Sequence, residues 1–264
     1  MSNIYKLAQE LEVISTSGLT KRRVGREEDG GYVILDEIAK GCEVLYSYGV
    51  SDDWSFEEDF TEKYDCLARL YDHTIEPIIT DNPKISFKKQ GLGTFPTDHL
   101  DTLSNHVGEN GDLQKRSILK MDIEWNEWDF LSGIDGSLLN NFDLLILEFH
   151  IIPAEYKGSH TPYFTEFHKD IYAKFNEEIF GKYLSGVRKI KESFCLYHVH
   201  VNNSLGIGEY EGCSLPYLLE VGFINKKFLN SDIEITREIF PIPELDFPNK
   251  SYKSEIVNFY PFIK

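Results

Sequence analysis

Three motifs that would identify an enzyme class at sight are missing from this chain. G-x-x-x-x-G-K-[ST] is absent, which sets aside a P-loop phosphoryl transferase. No G-x-G-x-x-G occurs, because Gly49 is followed by Val50-Ser51-Asp52-Asp53-Trp54, and a nicotinamide dehydrogenase loses its main signature. H-E-x-x-H is absent too, so a metal-dependent hydrolase would have to assemble ligands such as Asp122, Glu148 and His200 from distant positions. Cysteine is scarce: Cys42, Cys66, Cys195 and Cys213 form no C-x-x-C pair and lie in or beside apolar segments, as buried thiols do. Positive charge is in short supply, with 27 Lys and Arg against 44 Asp and Glu and a net charge of -17. Nucleic-acid binding draws on clustered basic residues, so small molecules or sugars are the expected partners. No apolar run approaches the length of a membrane span, and residues 1–15, with Lys6, Glu10 and Glu12, lack the apolar centre of a signal peptide. A cytoplasmic protein, monomer or homodimer, is expected.

What is present is an alternation of short apolar strands and helices. Strands are expected at 44–48, 66–72, 85–89, 117–123 and 143–149, with helices at about 55–63, 98–107 and 126–132. This order implies one α/β domain built on a largely parallel sheet. Leu7, Leu11 and Ile14 mark a helix over 3–14, and Phe164, Phe167, Ile171, Phe175 and Ile179 mark a long helix over 164–183 after an exposed loop at 153–163. Strands 194–201 and 217–223 are expected to pair antiparallel and close the sheet edge, and the tail after Pro241 to wrap the surface in extended form. The basic run Lys21-Arg22-Arg23-Val24-Gly25-Arg26 leads into the Gly30-Gly31 turn and a short strand, giving either a plain hairpin or a loop pressed against a ligand.

Three strand-like segments end in Gly or Asp: 44–48 closes on Gly49, 66–72 ends on Asp72, and 117–123 carries Asp122 near its end. The carboxyl ends of such strands are where α/β sheets hold nucleoside-type cofactors, and an acid 23 residues beyond Gly49 is placed to bind ribose hydroxyls. Asp52, Asp53, Glu57, Glu58 and Asp59 crowd the helix start after Gly49, a field that repels pyrophosphate and favours a cofactor carrying positive charge. Strand alternation puts Glu148 and His150 on one face, and His198, His200 and Asn202 on one face of the later strand. An imidazole there, His200 first and His150 second, is a candidate general base, with Asp122 beside it. If a divalent ion activates the acceptor instead, Asp122 and Glu148 are the expected ligands.

Taken together, Gly25-Arg26…Asp29-Gly30-Gly31-Tyr32-Val33, Tyr46-Ser47-Tyr48-Gly49-Val50-Ser51, Tyr71-Asp72-His73-Thr74, Lys120-Met121-Asp122-Ile123-Glu124…Glu127-Trp128-Asp129, Leu147-Glu148-Phe149-His150 and His198…His200…Asn202-Asn203 resemble the FkbM-like branch of the class I S-adenosylmethionine-dependent methyltransferases. The likeness runs over roughly residues 22–225. It implies a Rossmann-like, mostly parallel seven-stranded sheet with helices on both faces and an antiparallel edge. It also implies a cofactor site drawn from Gly31, Tyr48, Gly49, Ser51, Asp53, Asp72, His73, Asp122 and Glu124. The implied activity is O-methylation of a sugar, a nucleotide sugar or another small metabolite, in some relatives with Mg or Mn. Arg22, Arg26, Glu148, His198 and Asn202 are the expected acceptor contacts. Trp125 and Asn126 stand where the family has small residues, which leaves the acceptor open. The rival reading is a non-catalytic ligand-binding protein on the same fold.

Overall fold

The computed structural model describes residues 2–16, 18–151, 177–210, 213–230 and 232–257. Its centre is a seven-stranded sheet made of β3 (Val44–Tyr48), β4 (Leu67–Tyr71), β5 (Ile85–Lys88), β8 (Ser117–Met121), β9 (Phe142–His150), β10 (Phe194–Val201) and β13 (Leu218–Asn225). The order across the sheet is β10-β13-β9-β8-β3-β4-β5. Six strands run parallel, and β13 runs antiparallel to both of its neighbours. This is the class I methyltransferase arrangement. The antiparallel strand lies second from the edge, with β10 outside it.

The strands read from sequence agree with these bounds to within two residues because β3, β8 and β9 are buried along their whole length, as strands covered on both faces must be. Alternation then divides their side chains between two cores. Leu119, Met121, Leu145, Leu147 and Phe149 face one layer with helices α1 (Asn3–Glu10), α4 (Leu103–Glu109), α5 (Glu127–Gly133) and α7 (Glu177–Ser193). Leu45, Ile118, Leu144 and Ile146 face the other, with α2 (Asp36–Ala39), α3 (Ser55–Tyr64) and the hairpin of β1 (Lys21–Val24) and β2 (Tyr32–Leu35). The short α6 (Gly136–Leu139) packs on α7. Two further pairs, β6 (Gly91–Leu92) with β7 (Leu100–Asp101) and β11 (Ile207–Tyr210) with β12 (Cys213–Pro216), decorate the top.

Several expected bounds change for local reasons. The first helix stops at Glu10 because Ile14 turns extended, bridging to Ile235 and donating its N–H to Leu196. The fourth helix begins at Leu103, five residues later than expected, because Thr102 caps it by accepting from the Asn105 N–H while Leu100 and Asp101 form β7. The expected loop at 153–163 and residues 164–176 of the expected helix lie outside the described residues. From Glu177 the helix runs to Ser193, ten residues past its expected end, with Phe180, Leu184, Val187 and Ile190 continuing the buried stripe. Gly186, which interrupts the apolar pattern, lets this helix close on Leu131 of α5, where a Cβ would lie 3.2 Å from the Leu131 Cβ. Over its described residues, 242–257, the tail follows a series of turns rather than the expected extended run. Among the described residues no helix is long and apolar enough to cross a membrane.

Candidate functional site

The exits of β3 and β8 are pressed together. Gly49 has φ +74°, and a Cβ there would lie 1.5 Å from the Asp122 carbonyl oxygen, so only glycine fits this crossing. Beside it, Asp72 at the end of β4 joins two strand exits. Its carboxylate accepts from the Ser51 N–H at 3.0 Å, the Thr74 N–H at 2.8 Å and the Thr74 hydroxyl at 2.6 Å. Burial works to raise its pKa, but these bonds outweigh it and hold the carboxyl below the ordinary value.

Over these exits opens a cavity of about 780 Å³, lined by Gly49, Ser51, Asp72, His73, Asp122 and Glu124 together with Tyr71, Thr74, Gly91–Phe95, Leu100, Ile123, Asn126, Asp129, Phe130 and Gly133. That size suits a nucleoside-sized ligand. Its lining holds four carboxylates and no Lys or Arg among the described residues. The sequence pointed to Gly49, Ser51, Asp72, His73, Asp122 and Glu124; the loop from Gly91 to Phe95 was missed, its one signal being Gly91 and Gly93 directly after a strand.

Other expected residues stand elsewhere. Tyr48 is fully buried under the cavity, stacked on Tyr71 and His106 with its hydroxyl 3.0 Å from His106 Nδ1. Gly31 sits in the β1–β2 turn, where a Cβ would meet the Arg26 carbonyl oxygen at 2.0 Å. Asp53 accepts from the Ser55 N–H at the start of α3 and pairs with Arg26 at 3.2 Å. Arg22 donates to Asp36 at 2.8 Å. Neither arginine lines the cavity, because each is matched to a carboxylate on its own side of the sheet.

At the Asp122 end the cavity meets a row of ionisable groups that crosses four strands. Met121 is level with Leu147, so Asp122 comes level with Glu148, which pairs in register with Glu220, which pairs with His200. Burial and then the charge of Glu148 push the Asp122 carboxyl well above its ordinary value. Burial and then the charge of Glu220 push Glu148 up to about 8, although Asn202 donates to it at 2.7 Å. His150, two residues beyond Glu148, is 3% exposed. Glu127 of α5, a contact the sequence did not reveal, accepts from the His150 N–H at 2.7 Å and lies 3.0 Å from its Nδ1. Burial lowers the imidazole's pKa, but Glu127, Asp122 and Glu124 outweigh burial and raise it.

Glu124 and Trp125 are consecutive non-glycine residues at positive φ, 52° and 70°. Such backbone costs energy and persists where the surroundings enforce it. Here it brings the Trp125 ring to 4.9 Å from that of His150 and a Glu124 carboxylate oxygen to 3.5 Å from His150 Nε2.

His198 and His200 share a face as alternation requires, but the tail claims both. His198 Nε2 lies 2.8 Å from Asp246, and His200 is held between Glu220 at 2.9 Å and Glu255 at 3.3 Å. Burial lowers the pKa of His200, yet the Glu220 and Glu255 carboxylates outweigh it and push the imidazole up to about 10. A group already protonated at neutral pH cannot take a proton from an alcohol.

The arrangement thus offers an acidic nucleoside-sized cavity that ends on a cluster of carboxylates and one imidazole. No protein-family model, no curated protein and no solved structure matches this chain.

Proposed function

We propose that the protein is an S-adenosylmethionine-dependent O-methyltransferase acting on a hydroxyl of a small, uncharged metabolite of the sugar class. The observation that carries this reading is the position of the cavity: it lies over the carboxyl ends of β3, β4 and β8, bounded by Gly49, Asp72 and Asp122, in a sheet with the class I methyltransferase strand order. The resemblance to the FkbM-like branch supports the same choice of cofactor. An acidic wall with no Lys or Arg among the described residues favours a sulfonium over a pyrophosphate.

In this reading the methionine part lies at Gly49 and Ser51, the ribose at Asp72 and His73, and the methyl group faces Asp122. The acceptor oxygen attacks the methyl carbon as the carbon–sulfur bond breaks, and S-adenosylhomocysteine leaves. The hydroxyl proton passes to the carboxyl cluster of Asp122, Glu148 and Glu124, of which Asp122 and Glu124 line the cavity. His150 orients the cluster, and His200 holds the tail to the sheet. Arg22 and Arg26 are spent on Asp36 and Asp53, which removes the expected anchor for a phosphorylated acceptor.

The test is incubation with S-adenosylmethionine and a panel of neutral sugars, sugar phosphates and nucleotide sugars, reading S-adenosylhomocysteine release. Turnover with a neutral sugar supports the reading. Binding of the cofactor without turnover on any acceptor would favour the non-catalytic rival.

A further inference from the structure

We propose that Asp122, Glu148 and His150 form a binding site for a divalent first-row cation, best matched by Mn²⁺. Their donor atoms all lie within 4.8 Å of one another. A cation bonding at about 2.1 Å holds neighbouring ligands roughly 3 Å apart, so the three would draw together on binding.

Two observations beyond the clustering point to a ligand. The first is the state of His150, which is buried with its Nδ1 committed to Glu127. That contact holds Nδ1 against the Glu127 carboxylate and turns Nε2 toward the cluster. The carboxylates of Glu124 and Glu148 each place an oxygen 3.5 Å from Nε2. A carboxylate behind an imidazole is how metal-ligating histidines are oriented. The second is Asp122 Oδ1, buried without a hydrogen-bond partner. The nearby ammonium of Lys120 is paired with Glu57 at 3.3 Å.

Two carboxylates and an imidazole therefore converge from two strand exits. One imidazole disfavours Ca²⁺ and Mg²⁺, and two carboxylates favour a harder ion than Cu²⁺, which leaves Mn²⁺ as the best match. Three protein ligands leave positions open toward the cavity, where a hydroxyl oxygen would coordinate. Binding requires no S-adenosylmethionine, so failure of this site and failure of the methyl-transfer reading are separate results.

The experiment titrates the full chain with Mn²⁺ alone, following loss of the free-ion electron paramagnetic resonance signal, and records electron spin-echo modulation of the bound ion. One equivalent per chain, saturating below about 1 mM, with ¹⁴N modulation from a directly bonded imidazole, is expected. Asp122→Asn should weaken uptake at least about tenfold, and His150→Ala should abolish the modulation. Should His150→Ala fail to fold, the ¹⁴N modulation of the unaltered protein decides alone. No stoichiometric uptake would mean that a shared proton, not a cation, joins the two carboxyls, and the proposal falls. Uptake without ¹⁴N coupling, or coupling that persists in a folded His150→Ala variant, overturns it equally.

Discussion

Gly49 and Asp122 touch across the top of the sheet, the glycine Cα standing where any side chain would drive into the Asp122 carbonyl oxygen. The contact fixes how β3 and β8 leave the sheet, and so sets the floor of the cavity. Gly49→Ala should destabilise the protein by at least about 1–2 kcal/mol from its left-handed backbone alone, with more from the collision. Thermal unfolding measures the first effect and calorimetric titration the loss of cofactor affinity. An alanine variant with unchanged melting temperature and affinity would show that the two exits are not held together.

Asp72 ties the β3 exit to the β4 exit through three accepted hydrogen bonds. Asp72→Ala should therefore weaken S-adenosylmethionine binding by about 1–3 kcal/mol and also lower stability. Because its folded pKa is depressed, the stability it supplies is present above the unfolded carboxyl pKa near 4 and is lost as pH falls through the lower folded value. Denaturant curves of both proteins between pH 7 and pH 3 check this: their difference should shrink toward acid pH. Unchanged cofactor affinity in Asp72→Ala would remove Asp72 from the site.

His200 is held between Glu220 and Glu255, with Asp246 and His198 nearby, and its folded pKa is raised to about 10. Its contribution to stability is fully present below the unfolded histidine pKa of about 6.5 and is lost as pH rises through the folded value. Imidazole resonances followed by NMR should stay at the protonated position from pH 6 to pH 8.5. A midpoint near 6.5 would restore His200 as a candidate base.

Glu127 touches no cavity surface but sets the ring of His150. Glu127→Ala should reduce Mn²⁺ affinity about 10- to 100-fold while circular dichroism remains that of the folded chain. Unaltered affinity in the folded variant would contradict the assignment of Nε2 as the ligating nitrogen.

Arg22 and Arg26 form partly exposed ion pairs, a class worth about 0–1 kcal/mol. Replacing either with Ala should leave the KM for a neutral acceptor unchanged at low and high salt. A salt-dependent rise in KM would return the acceptor to the sugar phosphates.

The fold was legible in the sequence because strands buried on both faces are written as continuous apolar runs, and because Gly49, Asp72 and Asp122 mark where those runs stop. That was enough to bring half of the site together. Alternation also placed His198 and His200 on one face, but it says nothing about what meets them. Their partners Asp246 and Glu255 return from 48 and 55 residues away in a tail whose path follows turns rather than periodicity. The contact from Glu127 to His150 was hidden for a similar reason. The charge of Glu127 belongs to the first turn of an ordinary helix, and only the packing of α5 on β9 turns it toward His150.

The proposed function requires that the cavity over β3, β4 and β8 hold S-adenosylmethionine. Calorimetric titration of the full chain with S-adenosylmethionine and S-adenosylhomocysteine, with NAD in parallel, tests it most directly. The account predicts one saturable site of micromolar affinity for each sulfur nucleoside, lost in Gly49→Ala, and no binding of NAD. Absence of heat with both sulfur nucleosides, or saturable binding of NAD in their place, would contradict it.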